Sequence, residues 1–178
     1  MKNYINNLLK KLTGYQISKF DQSPYKFRGK LIDFIEQNSP RGKILDIGSA
    51  RWNYPKNRFG KDNVTTLDLE PPADVIGNVM NMPFADNSFD CVICLETLEH
   101  VENPFTALKE IHRVLKPNGK LISSTPFMHE IHGEEYGDFW RFTRQGWKKL
   151  LTEFKNVTIL PFSGTELSPG WYLVVAQK

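Results

Sequence analysis

Two short apolar runs in this chain each end in an aspartate. Lys43-Ile44-Leu45 leads into Asp46-Ile47-Gly48, and Val64-Thr65-Thr66-Leu67 leads into Asp68, 22 positions beyond Asp46. A strand, a glycine turn and an acidic residue about 20 positions further on form the layout of a βαβ unit that grips a mononucleotide. The glycine lets the backbone pass close to a ligand. The second carboxylate, at the carboxyl end of a strand, accepts hydrogen bonds from ribose hydroxyls. The pair constrains the chain toward a parallel sheet and points to an adenosine-type cofactor.

The rest of the chain alternates in the same way. Strands are expected at 43–48, 64–69, 75–77, 89–95, 119–124, 157–162 and 171–177. The clearest helix runs from Pro104 to Leu115. Asn103 caps it, Pro104 fits its first turn, and Phe105, Leu108, Ile111 and Leu115 face one side. A later helix, Thr143 to Phe154, turns Trp147, Leu150, Leu151 and Phe154 inward. Strands that are apolar on both faces, separated by helices, make a parallel sheet covered on both sides. The final two strands are joined by Ser163 to Gly170 with no helix between them, so they are expected to form an antiparallel hairpin. The expected fold is therefore α/β and Rossmann-like: a doubly wound, seven-stranded, mostly parallel sheet with a C-terminal antiparallel hairpin and helices on both faces.

Ahead of this lies a helical segment, 1–40, and the expected organisation is that segment followed by a cofactor-binding domain, 41–178. Ile5, Leu8, Leu9 and Leu12 share a face of a first helix, which Gly14 ends. Phe27, Leu31, Phe34 and Ile35 share a face of a second, from Pro24 to Gln37. With only Lys2, Lys10 and Lys11 beside its apolar face, the first helix suits a substrate lid or packing better than a lipid surface; a dimer surface is a further option. Oligomeric state stays open.

Composition removes some function classes. The 23 Lys and Arg against 20 Asp and Glu leave a net charge of +3, and they are scattered, so nothing raises a nucleic-acid role. Cys91 and Cys94 have a Cys-x-x-Cys spacing but sit in the apolar run Phe89 to Leu95, where positions i and i+3 face opposite ways. No second cysteine pair completes a zinc site. Two core thiols fit a reducing compartment, and the expected location is the cytoplasm. Met1 to Thr13 lacks the continuous apolar run of a secretory signal, and no stretch approaches the about 20 apolar residues of a membrane helix.

Gly48-Ser49-Ala50-Arg51-Trp52-Asn53 does not fit the G-x-G-x-x-G cradle for a pyrophosphate. With the terminal hairpin, which is not the dinucleotide dehydrogenase pattern, an adenosine cofactor without pyrophosphate points to S-adenosylmethionine. Three further runs point the same way: Met82-Pro83-Phe84-Ala85-Asp86-Asn87-Ser88-Phe89-Asp90, then Leu98-Glu99-His100-Val101, then Glu110 to Gly119. In this order they resemble the class I S-adenosylmethionine-dependent methyltransferases, most of all their small-molecule branch, over about Gly42 to Lys178. The resemblance implies that Asp46 and Gly48 belong to the loop holding the methionine part of the cofactor. It implies that Asp68 binds the ribose, with Leu69 beside it. Asn78 would take the adenine amino group and Val79 would offer its N–H to the ring. Leu95 and Glu96 would line the methionine end, where an acceptor group could also stabilise the sulfonium.

The chain departs from that family twice. Ala50 stands where a second glycine is usual, and Arg51 to Asn63 has no apolar helical period, so a loop or short turn is expected in place of the first helix. Arg51 is then either a direct cation for the cofactor carboxylate or a solvated loop residue. Asn78 is neutral where an acid is usual, which weakens the adenine contact without abolishing it.

The segment Thr125 to Thr143 is long and rich in reactive side chains, at the place where α/β sheets build substrate sites. Its pattern also resembles a subset of these methyltransferases found with sugar or cell-envelope enzymes. Transfer to a hydroxyl needs a group to take its proton, and His132 and His129 are the candidates, His132 preferred; each is otherwise a histidine bonded within its loop. Asp138 and Arg141 either orient the substrate or pin the loop as an ion pair. His129 and His132 with Glu130, Glu134 or Glu135 have spacing that a metal would accept, but no other cluster supports one and none is expected. His100 and His112 read as structural, and Phe139, Trp140 and Phe142 as packing. The function expected is methyl transfer to a small molecule, through a hydroxyl. The alternative is a cofactor-binding partner subunit without turnover.

Overall fold

A computed structural model of the chain describes residues 24–48, 52–133 and 135–178; the expected helix carrying Ile5, Leu8, Leu9 and Leu12 lies outside them. The described chain opens with α1 (Pro24–Gln37), followed by β1 (Ile44–Ile47), α2 (Tyr54–Phe59), β2 (Val64–Asp68), β3 (Val75–Ile76) and β4 (Phe89–Leu95). A single 3-10 turn, Leu98–His100, precedes α3 (Pro104–Val114), β5 (Leu115–Pro126), α4 (Arg144–Leu150), β6 (Lys155–Gly164) and β7 (Pro169–Gln177).

The seven strands lie in the order β3-β2-β1-β4-β5-β7-β6. The first five are parallel, and β7 runs antiparallel to both β5 and β6, inserted between them. This is the mostly parallel sheet with a terminal hairpin that the apolar runs predict. The chain builds outward from β1 to β3 and then returns to place β4 on the other side of β1. The reversal makes the space between β1 and β4 the switch point of the sheet, and it is at the carboxyl ends of such strands that α/β sheets bind ligands.

Alternation within the strands supplies two cores, one on each face. Leu45, Ile47, Val92, Cys94, Leu121 and Val174 point to one, which α3 and α4 cover with Leu108, Ile111, Trp147 and Leu150. Ile44, Cys91, Ile93, Ile122 and Leu173 point to the other, covered by Leu31, Phe34 and Ile35 of α1. Cys91 and Cys94 thus sit on opposite faces as free thiols, and burial pushes both well up from the ordinary thiol range.

Four details differ from the sequence reading. The stretch expected as a loop holds a six-residue helix, α2. Pro55 starts it, and Tyr54 and Arg58 bond Glu36 of α1 while Lys56 bonds Asp74. Phe105 is 50% exposed, because the buried face of α3 is Pro104, Ala107, Leu108, Ile111 and Val114. Strand β5 begins at Leu115, earlier than Gly119, since Leu115 already pairs with Phe89 before a bulge. Helix α4 ends at Leu150, short of Phe154, although Leu151 and Phe154 are still buried. Asn103 caps α3 as expected, accepting from Thr106 N at 3.1 Å. Among the described residues no helix is long and apolar enough to cross a membrane.

Candidate active site

At the carboxyl end of β1 the chain turns at Gly48, whose φ is +75°. Its N–H donates to Leu67 O at 2.9 Å, which ties the turn to β2. Opposite lies Thr97, whose hydroxyl is shared between the carbonyl oxygens of Leu95 and Ile47 at 2.8 and 3.2 Å. A Cβ at position 48 would collide with Thr97 Oγ1 and come within 2.8 Å of its Cγ2. Glycine is therefore required both by the backbone angle and by the space that Thr97 occupies. Asp46, two residues earlier, is only 2% exposed between Thr66 of β2 and Ile93 of β4. Arg51 lies outside the described residues.

Asp68 ends β2, the next strand outward, and accepts from Leu69 N at 2.7 Å. Leu69 itself is 59% exposed, an apolar surface beside the carboxylate. After β3, Asn78 Oδ1 accepts from Met80 N at 2.8 Å, so the amide shapes its own turn. Val79 is buried, and no hydrogen bond engages its N–H among the described residues.

Leu95 ends β4 buried, and Glu96 follows with a φ of +49°. Ser124 Oγ donates to Glu96 Oε1 at 2.6 Å, and Trp171 Nε1 donates to Oε2 at 2.9 Å. Burial outweighs these bonds and pushes Glu96 up to about 7. It is a carboxyl held in place from β5 and β7, beside the start of the segment that joins β5 to α4.

That segment, between β5 and α4, folds back over the 3-10 turn. Phe139 N and Trp140 N donate to Glu99 O at 2.8 and 3.2 Å, and Trp140 Nε1 donates to Val101 O at 2.8 Å. Asp138 and Arg141 form a two-pronged ion pair, Nη2 to Oδ2 at 2.6 Å and Nη1 to Oδ1. Arg141 holds the Asp138 carboxyl well below the usual carboxylate range. Asp138 Oδ2 also accepts from His132 N at 2.9 Å, so the pair pins the segment.

The two candidate histidines differ in what their rings face. His129 Nδ1 contacts Glu130 O at 3.0 Å, and no hydrogen bond engages Nε2 among the described residues. Its ring leans against Trp171, the residue that holds Glu96, with centroids 5.5 Å apart. His132 turns Nδ1 to Glu130 O at 3.2 Å and Nε2 toward Glu99 Oε1 at 3.9 Å. Glu99 is fully buried, and burial, then the charge of Glu96, raises its carboxyl well above the ordinary value. His100, on the 3-10 turn, directs Nε2 at the same Glu99 oxygen at 3.7 Å while its Nδ1 donates to Gly137 O. His112 is elsewhere, edge-on to Phe154.

The structure therefore places Gly48, Asp68, Leu95 and Glu96 at the carboxyl ends of the neighbouring strands β1, β2 and β4, and His129, His132, Asp138 and Arg141 on the one segment between β5 and α4. Sequence reasoning missed Thr97, Ser124, Trp171 and the inward role of Glu99. The run Leu98-Glu99-His100 was visible, but spacing does not say that an acid will be buried. Trp171 becomes part of the site only because β7 inserts beside β5.

Residues 45–123 match the family model for a methyltransferase domain. A demethylmenaquinone methyltransferase from Listeria monocytogenes is 42% identical over 144 residues, which cover 78% of this chain and 58% of that protein. The chain thus spans little more than half the length of this curated relative. Among solved structures, a methyltransferase from Thermotoga maritima superposes with a TM-score of 0.59 at 21% identity, over 83% of this chain and 87% of the other. A phosphoethanolamine N-methyltransferase from Haemonchus contortus, solved with S-adenosyl-L-methionine, gives 0.62 at 14% identity over 84% and 52%. The fold is the Rossmann-like fold of S-adenosylmethionine-dependent methyltransferases.

Proposed function

We propose that this chain is an S-adenosylmethionine-dependent methyltransferase acting on a small molecule. The observation that carries the reading is the Gly48 turn. It is a tight left-handed turn pressed against Thr97, at the switch point of the sheet, with Asp68 one strand away. These residues fit the cofactor. Gly48, Leu95 and Glu96 would hold its methionine part and Asp68 its ribose, with Leu69 and the Val79 N–H at the adenine. When bound, S-adenosylmethionine supplies an electrophilic methyl group on a sulfonium.

The match at 45–123 and the relative named for demethylmenaquinone support a small-molecule acceptor. We assign the acceptor to the segment between β5 and α4 and the reacting atom to a hydroxyl, with a sugar or cell-envelope precursor as the class to screen first. His129 has an unengaged Nε2, whereas both ring nitrogens of His132 face protein groups, so His129 takes the hydroxyl proton. Asp138 and Arg141 are positioning residues that shape the segment. The buried thiols suit a reducing compartment, and we place the chain in the cytoplasm.

Calorimetry with S-adenosylmethionine and S-adenosylhomocysteine tests the cofactor. Binding that weakens about tenfold or more in Asp68→Ala is expected; no binding by the parent chain refutes the proposal. With an acceptor identified, His129→Asn is expected to lower kcat about 100-fold or more with KM little changed. The neutral Asn78 and the Ala50 in place of a second glycine favour a second reading, a cofactor-binding partner subunit without turnover. Tight cofactor binding with no methyl transfer across an acceptor panel would select it.

A further inference from the structure

We propose that Glu99, His100 and His132 form a binding site for a divalent transition-metal ion of the zinc class. Glu99 Oε1, His100 Nε2 and His132 Nε2 all lie within 4.8 Å of one another. The carboxylate oxygen is 3.7 Å from one imidazole nitrogen and 3.9 Å from the other. Metal–ligand distances of about 2.0–2.2 Å need slightly closer spacing than this, within reach of small side-chain rotations.

Glu99 is the second, independent observation. It is 0% exposed, and neither carboxylate oxygen has a hydrogen bond among the described residues. A buried carboxylate is retained when a charge or a metal satisfies it. The charge of Arg141 reaches Glu99, but its hydrogen bonds go elsewhere. Its guanidinium is held by both oxygens of Asp138 and by Trp140 O.

The outer ring nitrogens are arranged as metal-bound imidazoles require. His100 Nδ1 meets Gly137 O, a pure acceptor, so Nδ1 carries the proton and Nε2 presents its lone pair to Glu99. His132 Nδ1 is set the same way by Glu130 O. The rings meet edge to face, with centroids 4.8 Å apart. Gly133, with a φ of +71°, permits that approach, since a Cβ there would come within 2.9 Å of His100 Cε1. Two neutral imidazoles and one carboxylate suit zinc, cobalt or iron(II) rather than calcium or magnesium, which prefer oxygen ligands. Two ligands come from the 3-10 turn after β4 and one from the acceptor segment. The site uses His132 from the His-x-x-His spacing but not the neighbouring acids that the spacing suggested.

The test is cobalt(II) titration of the chelator-stripped full chain, read by visible absorption. One equivalent is expected to give the band of a low-coordinate site, and zinc is expected to displace it. Glu99→Gln and His132→Asn are each expected to weaken cobalt binding about tenfold or more, outer partners alone being worth that much. His112→Asn is expected to bind as the parent does. Thermal melts of each variant establish that it is folded, and Glu99→Gln keeps the shape of the side chain if His132→Asn does not fold. Absence of a stoichiometric band, or parental affinity in folded Glu99→Gln, overturns the proposal. Cobalt binding is read without cofactor or acceptor, so its failure is separate from a failure of the methyl-transfer reading.

Discussion

At Gly48 a single hydrogen atom in place of a side chain makes room for Thr97. Gly48→Ala would force a Cβ onto Thr97 at a φ of +75°. We expect it to destabilise the chain by about 1–3 kcal/mol and to weaken S-adenosylmethionine binding at least as much as Asp68→Ala does. Urea unfolding and calorimetry on the same variant separate the two effects.

Glu96 gives a second prediction at this scale. Its folded pKa is raised to about 7 by burial, although Ser124, Trp171 and the charge of Arg141 favour the anion. An acid raised in this way contributes stability that is fully present below its unfolded pKa and is lost as pH rises through about 7. The anion formed above that pH attracts a sulfonium and not a thioether. The ratio of S-adenosylmethionine to S-adenosylhomocysteine affinity is therefore expected to rise between pH 6 and 8, and to stay flat in Glu96→Gln. A flat ratio in the parent chain would remove Glu96 from the methionine end.

At the scale of elements, α3 does more than cover the sheet. Arg113 donates to the carbonyl oxygens of Phe84 and Met82 at 2.7 and 3.1 Å and to Asp86 at 2.8 Å. Glu110 accepts from Arg113 Nε and Nη2 at 2.7 and 2.8 Å and from Met82 N at 2.9 Å. One turn of helix thereby fixes the connection between β3 and β4, behind the expected adenine contacts. Arg113→Ala leaves a partly buried carboxylate and two carbonyl oxygens without these donors, and about 2–4 kcal/mol of stability is expected to go. Arg113 also lowers the pKa of Glu110, so this contribution is full above the ordinary glutamate range and declines as pH falls through the lowered value. Denaturation curves at neutral and acid pH should therefore converge for parent and variant on the acid side.

Much of this level was legible in advance. Asn103 and Pro104 mark the start of α3 because capping is a local rule. Phe105 was misplaced because a one-residue rotation of the apolar stripe costs little in pattern and much in contact. The helix α2 was missed because what holds it is not an apolar stripe of its own: Glu36 and Asp74, remote in sequence, bond its side chains.

At the scale of the whole molecule, both sheet faces are closed by helices, and Trp147 of α4 is fully buried, its Nε1 donating to Thr125 Oγ1 at 3.3 Å. Trp147→Ala is expected to cost about 3–5 kcal/mol and to be the most damaging of these substitutions, as measured by the urea midpoint. A saturating cofactor should recover part of that loss, about 2.7 kcal/mol at a hundred times its Kd.

By itself the sequence determined the mostly parallel sheet, the terminal hairpin, the Gly48 turn and the acid at 68. Each is written in residues close together: apolar runs separated by helices, a missing crossover helix, a glycine after an apolar run. Only the tertiary structure decided that Thr97 closes on Gly48, that Trp171 and Ser124 hold Glu96, and that His132 crosses to meet Glu99 and His100. Those contacts join residues up to 75 positions apart. Burial, which turns an ordinary glutamate into a ligand in need of a partner, is a property of the folded surroundings and not of any local pattern.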